Sequence, residues 1–476
     1  NSNVKGFGKE FNQKERKSNA SSIKKVDYAL GIHAKGDIKQ AIIHYNQIIK
    51  SGIEDPRVYS ALGFIALQNS EIEKAIKYNL KSIAINPKYA PGYSNLGTLF
   101  CQIGYYKQAE KYIREAIQIN PIVSRSFLTL SEILSKQIEL NKAEKEIRKA
   151  IHLEPNLKEA YYILSNILMG KEDYNEAEKV IKNLINISPK SPESYFQLHK
   201  IYSQAGKLGK AKDTLYKTID LDSKFALAYD SLSRFNDCEK DLNFVNKLFS
   251  INSKELESNK DKVNILFAKS NILHRKKQYE ESADLLIEAN SLKLNIYNST
   301  ANQVINVSKD YLIKTLELNN KKKIEVEKAQ ECIFIVGMPR SGSTLIETIL
   351  NANKKVIGMG ERPLIEISLK KILSLKEGSK NNKSLEKLYL HERSKFVKSD
   401  HISTDKYLPN YIYLGYILNS IPYAKVIHCF RNPLDNILSI YKANFGEGIR
   451  FASSLKDCAR VYINHMKVIK EYQKRF

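Results

Sequence analysis

Tryptophan is absent from the 476 residues, cysteine occurs only five times, and no stretch of about eighteen consecutive apolar residues is present. Each absence removes a class of answer. The cysteines, Cys101, Cys238, Cys332, Cys429 and Cys458, are far apart and form no CxxC pair, so neither a zinc site nor a disulfide framework is indicated. No apolar run is long enough for a membrane-spanning helix, and residues 1–25 are polar without an apolar signal core. A reducing, cytoplasmic setting is the default expectation. Carboxylates are also in deficit, with 52 Asp and Glu against 76 Lys and Arg, a formal charge of +24. That excess suits an acidic ligand, a nucleic acid or a membrane surface. Lysine, asparagine and isoleucine are abundant throughout, so compositional bias accounts for much of it, and no RNA-recognition or zinc-finger pattern supports a nucleic-acid partner. The chain starts at Asn1 rather than methionine and stops in a polar helical run, Lys467 to Phe476. A fragment of a longer reading frame is the expectation, and a trimmed chain reads the same way.

What is present begins with a period. Alanine recurs every 34 residues at Ala41, Ala75, Ala109, Ala143, Ala177 and Ala211. The same period carries aromatics at Tyr59, Tyr93, Phe127, Tyr161, Tyr195 and Tyr229, and leucines at Leu62, Leu96, Leu130, Leu164, Leu198 and Leu232. Prolines at Pro87, Pro121, Pro155 and Pro189 punctuate it. The small alanine lets two helices approach, the aromatic and leucine fill the seam between them, and proline stops one unit running into the next. The pattern resembles the tetratricopeptide repeat (TPR), with tyrosine where that family usually has tryptophan. The resemblance implies an all-α solenoid over residues 26–235, with a concave groove for an extended peptide or a protein partner. A packing scaffold or a dimerisation surface is the alternative. The spacing of Phe267 and Ala283 matches that of Tyr93 and Ala109, so a degenerate final repeat is expected over 262–293, within an irregular segment 236–295. Residues 296–330 read as a helical linker ending in Lys321-Lys-Lys323.

From Phe334 to Leu350 the character changes. FIVGMPRSGSTLIETIL reads as an apolar strand, a glycine-bounded turn and a helix. Gly337-x4-Gly342-Ser343-Thr344 has P-loop spacing, but Ser343 stands where a nucleotide-hydrolysing loop has lysine. What remains is a helix N-terminus, the Ser341, Ser343 and Thr344 hydroxyls, and the Arg340 guanidinium, a set suited to a phosphate within a mixed anhydride. The run PRSGST after an apolar strand resembles the 5′-phosphosulfate loop of sulfotransferases. In the second motif, Ala424 to Ser439, Arg431 and Ser439 resemble that family's 3′-phosphate pair. The resemblance implies a parallel α/β domain over 331–476 and 3′-phosphoadenosine 5′-phosphosulfate (PAPS) as co-substrate, with Arg340, Ser341, Gly342, Ser343, Thr344, Arg431 and Ser439 binding it and no metal required.

Catalytic candidates follow from the same likeness. Glu361, in Gly358-Met-Gly-Glu-Arg362, resembles the base of tyrosylprotein sulfotransferases. Lys406, in Thr404-Asp-Lys-Tyr-Leu-Pro-Asn410, matches their catalytic lysine. Arg340 joins them as a stabiliser of the leaving phosphate. The bland alternatives are an ordinary loop carboxylate for Glu361 and a solvated lysine for Lys406. His428 sits inside an apolar strand, which favours a core role over that of a base. The position twelve residues after Arg431, basic in the tyrosylprotein enzymes, is Ala443 with Lys442 beside it, and related domains continue beyond the helix at Asp457 to Lys474. The resemblance implies sulfuryl transfer to a hydroxyl, most plausibly a peptide tyrosine captured by the repeats. A carbohydrate or lipid acceptor, and a non-catalytic scaffold with a vestigial transferase domain, remain open; the acceptor and the oligomeric state stay undetermined.

Overall fold

The structure is a computed structural model that describes residues 22–316, 331–373, 384–398, 400–421 and 423–476. The polar residues 1–21 and the linker stretch 317–330, with its lysine triplet, lie outside the described residues. The chain divides into two compact units, Asn1–Leu221 and Asp222–Phe476.

The first unit is a series of helix pairs, each helix 13 or 14 residues long from Ile38–Lys50 to Leu208–Leu221. All six period-34 alanines are completely buried. The leucines lie at 5 % exposure or less, from Leu62 to Leu232. The aromatic positions behave differently: Phe127 and Tyr229 are buried, whereas Tyr59, Tyr93, Tyr161 and Tyr195 are only half-buried. Tyrosine carries a hydroxyl that needs a partner, and it finds one at the seam's edge. The Tyr161 hydroxyl donates to the Pro155 carbonyl at 3.0 Å, and Tyr229, two repeats on, donates to the equivalent Ser223 carbonyl at 3.1 Å.

The turn inside each pair is also periodic. Gly36, Ser70, Gly104, Ile138, Glu172 and Gly206 all have left-handed backbone, with φ between 60° and 87°. After Ser70, Gly104, Ile138, Glu172 and Gly206 the next residue's N–H reaches back to a carbonyl in the preceding helix, as in Tyr105 to Phe100 at 2.8 Å and Glu139 to Leu134 at 2.9 Å. This is the Schellman closure of a helix C-terminus. The degenerate pair keeps it: Lys277 has φ 63° and Gln278 donates to Leu273 at 3.0 Å.

In the second unit that pair is longer, Asn259–Arg275 and Tyr279–Ile296. The expected irregular stretch before it resolves into a 3₁₀ turn at Cys238–Lys240 and a helix at Leu242–Ser250. Helix Ala226–Leu232, in phase with the array by sequence, lies in this second unit. Next comes helix Ala301–Leu316, then a wholly parallel sheet of four strands: β1 (Cys332–Gly337), β2 (Val356–Gly358), β3 (Ile402–Asp405) and β4 (Ala424–Cys429). Their order is β2-β3-β1-β4, with Phe334 opposite Asp405 on one side and Val426 on the other. In such a sheet the carboxyl ends of the strands form one edge, where open α/β folds bind ligands.

The helix pair is not a spacer. Val263, Leu266, Phe267, Leu286 and Ala289 form a buried cluster with Tyr441, the last residue of helix Pro433–Tyr441. Polar contacts fix the chain just after it. Asn444 donates to Asn264 at 2.9 Å and to Asp230 at 3.2 Å, Lys293 donates to Asn444 at 2.9 Å and also to the Phe445 carbonyl, and Asn290 donates to the Tyr441 carbonyl at 3.2 Å. Desolvation lowers the Lys293 pKa to about 8, partly offset by buried Asp230.

Candidate active site

Each of the four strands ends by delivering one charged candidate: β1 leads to Arg340, β2 to Glu361, β3 directly to Lys406, and β4 to Arg431. The parallel sheet thus gathers residues that lie far apart in sequence.

The loop after β1 is tightly held. A Cβ on Gly337 would sit 2.5 Å from the Cys429 carbonyl oxygen, so only glycine lets β1 leave the sheet so close to β4. Arg340 has φ 65°, a conformation costly for a side-chain-bearing residue, and the loop then enters helix Ser343–Asn351 through left-handed Gly342. From the second motif, Asn436 is completely buried and donates to the Pro339 carbonyl at 2.9 Å. Arg340 Nε donates to Ser439 Oγ at 3.3 Å. The two motifs, about ninety residues apart in sequence, therefore meet. Arg431 is half-exposed, with a carboxylate of Asp435 3.9 Å away and its own carbonyl accepting from Tyr462 at 3.0 Å.

Lys406 is only 5 % exposed. Its Nζ donates to Glu361 Oε1 at 2.8 Å and to Thr344 Oγ1 at 3.5 Å, with Glu347 Oε2 at 3.9 Å. The backbone enforces this pairing, because β2 and β3 stay bonded past the sheet: Met359 donates to Thr404 at 2.8 Å and Lys406 to Gly360 at 3.1 Å. Glu361 itself is largely exposed, so an incoming group can reach its carboxylate.

Two supporting carboxylates escaped sequence reasoning. Glu347, buried on the loop helix, accepts from the Gly360 N–H and the Thr404 hydroxyl, both at 3.1 Å, and so ties the loop helix to β2 and β3. Its one sequence signal is the three-residue spacing from Thr344, which puts both on one helix face. Asp405, beside Lys406, accepts from Asn410 at 2.9 Å, the Tyr407 N–H at 3.2 Å and the Tyr389 hydroxyl at 3.3 Å. Burial pushes its carboxyl up to about 7, against those bonds. His428 faces a different neighbourhood. It lies over Phe430, and its Nε2 is 3.0 Å from Nε2 of buried His465.

The hydroxyl of Ser341 is buried and has no hydrogen-bond partner among the described residues. With Arg340 and the helix N-terminus it makes a set of donors that fits an oxyanion. Among the described residues, no group of three or more His, Cys, Asp and Glu is arranged to hold a metal ion. Nor is any described helix long and apolar enough to cross a membrane.

The sulfotransferase family model matches residues 332–476, and a tetratricopeptide repeat model matches 90–122 and 158–191. An uncharacterized protein of Aquifex aeolicus is 28 % identical over 230 residues, 44 % of this chain and 30 % of that relative, so the chain spans under a third of the relative's length. Among solved structures, YrrB, a TPR protein with an unusual peptide-binding site, is 20 % identical at a TM-score of 0.33, over 39 % of this chain and 96 % of its own. PilW, a type IV pilus biogenesis factor, is 16 % identical at 0.41, over 44 % and 98 %. The chain thus carries stretches that match the tetratricopeptide repeat, followed by a region that matches the sulfotransferase family.

Proposed function

We propose that this protein transfers a sulfuryl group from PAPS to an acceptor hydroxyl, and that the acceptor is a peptide tyrosine. The observation that carries the reading is Lys406: a buried ammonium joined on one side to Glu361 and on the other to Thr344 of the phosphate loop. The acceptor oxygen attacks sulfur, the bond from sulfur to the phosphate oxygen breaks, and the hydroxyl proton passes to Glu361. Lys406 and Arg340 meet the negative charge that develops on the departing phosphate oxygen, where fixed cations are most effective. Gly342, Ser343 and Thr344 offer the helix N-terminus to the 5′-phosphate, with the Ser341 hydroxyl beside them, while Arg431 and Ser439 take the 3′-phosphate. No metal is needed, since the migrating group carries a single negative charge.

A peptide acceptor is supported by the repeat unit. A cleft of about 650 Å³ there is lined by Gln102, Ser135, Lys136 and Asn166 among others, side chains that can pair with an extended backbone. The test is transfer of labelled sulfate from PAPS to peptide and glycan pools. Tyrosine peptides should be labelled, and Glu361→Gln should lower turnover about 10²–10⁴-fold with donor affinity nearly unchanged. Labelling confined to glycans would overturn the acceptor assignment, and full activity of Glu361→Gln would overturn that of the base.

A further inference from the structure

The second motif opens onto a cleft of about 600 Å³ whose far wall is not part of the transferase domain. One side is formed by Arg340, Arg431, Ser439 and Lys442. Arg234 and Arg275 line the other, from the helical segment that precedes the domain. Four arginines and a lysine line the cleft with Asp435, while buried Asp230 pairs with Arg234 and Glu239 lies beside Arg275, so the cations remain in excess. This balance calls for an anion. The wall is built to hold its shape. Arg275 donates to the Arg234 carbonyl at 2.8 Å and lies 3.5 Å from Glu239, which orients the guanidinium while leaving it 27 % exposed. Lys442 donates to His274 Nε2 at 2.8 Å, and the His274 ring packs edge-on against Tyr279. The clamp around Asn444 holds both walls together.

We propose that this helical segment forms part of the donor site: Arg275, with Lys442, binds the second phosphate of an adenosine bisphosphate. The inference rests on the PAPS reading. Arg431 and Ser439 hold that phosphate from the domain side and the segment closes over it, so donor binding requires residues outside the sulfotransferase-matched region. Arginine suits the task because its planar fork can engage two phosphate oxygens at once.

The test is calorimetric titration of the full chain with adenosine 3′,5′-bisphosphate and with adenosine 5′-monophosphate at one salt concentration. The wild type should prefer the bisphosphate. Arg275→Gln should weaken the bisphosphate about tenfold, the scale of a lost charge-assisted contact, and leave the monophosphate within about twofold. Lys442→Gln, on the opposite wall, carries the same expectation and serves if Arg275→Gln does not fold. Bisphosphate affinity unchanged in a folded variant, or equal weakening of both nucleotides, overturns the assignment to the second phosphate. A wild type without any bisphosphate preference sinks the PAPS reading itself, together with the inference built on it.

Discussion

The periodic left-handed turn permits a stability prediction with an internal control. At Gly104, φ is 82°, and a Cβ there would meet no atom within 4 Å. Gly104→Ala therefore adds a methyl group into open space, and its cost is purely that of left-handed backbone, about 1 kcal/mol. Gly170 ends helix Lys158–Gly170 with ordinary helical backbone, and a Cβ there would touch Leu140 at an unstrained 3.4 Å. The same substitution at Gly170 should stabilise by about 0.5 kcal/mol, because alanine loses less freedom on folding. Ile138 is the reverse case, a β-branched residue at φ 60° in the turn where Gly104 sits one repeat earlier. Ile138→Gly relieves about 1–2 kcal/mol of strain and returns about 0.5–1 as chain entropy, for a net gain of up to about 1.5 kcal/mol. The assay is the urea midpoint of the helical circular dichroism signal, compared between variants in one buffer because a repeat array need not unfold in two states. Gly104→Ala as stable as wild type, or Gly104→Ala and Gly170→Ala shifting the midpoint in the same direction, would refute the claim that turn conformation sets the cost.

Three further outcomes follow from the second unit. With Ser343 in place of the loop lysine and Arg431 beside Ser439, calorimetry should show adenosine 3′,5′-bisphosphate binding far better than ATP, and equal affinities would remove the basis for the donor assignment. Asp405, held near 7 when folded but near 4 when unfolded, keeps its proton while the unfolded chain releases one, so its contribution lowers stability by up to about 4 kcal/mol as pH rises from 4 to 7. Asp405→Asn should flatten that limb of the stability profile whatever constant offset it adds, and an unchanged slope would contradict the raised value. His465 is lowered to about 3 by burial and by His428, so its contribution is intact above pH 6.5 and is lost as pH falls toward 3. Replacing it with phenylalanine should reduce acid sensitivity in urea titrations across that range.

Much of this was legible in the sequence because it is local or periodic. The 34-residue alanine pattern marks the buried helix contacts, and the strand, turn and helix around Gly337 and Gly342 are readable as a phosphate cradle. The tyrosines illustrate one limit, since periodicity identifies a seam position but not whether a hydroxyl will reach out of it. The rest is non-local. Glu347 gains its meaning only when β2 and β3 come alongside the loop helix, and Arg275 only when its helix meets a turn well over a hundred residues downstream. Lys406, equally readable as a solvated lysine, is buried because β3 ends beneath the loop.

The grip of helices Asn259–Arg275 and Tyr279–Ile296 on Tyr441 and Asn444 also separates two meanings of domain. The match to the sulfotransferase family begins at residue 332, whereas the compact body that contains it begins at Asp222. A gene fragment cut at the family boundary would strip the apolar cover from Tyr441 and leave the hydrogen-bonding capacity of Asn444 unmet, beside the second motif itself. The last helix pair therefore belongs, structurally, to the body that holds the second motif rather than to the array.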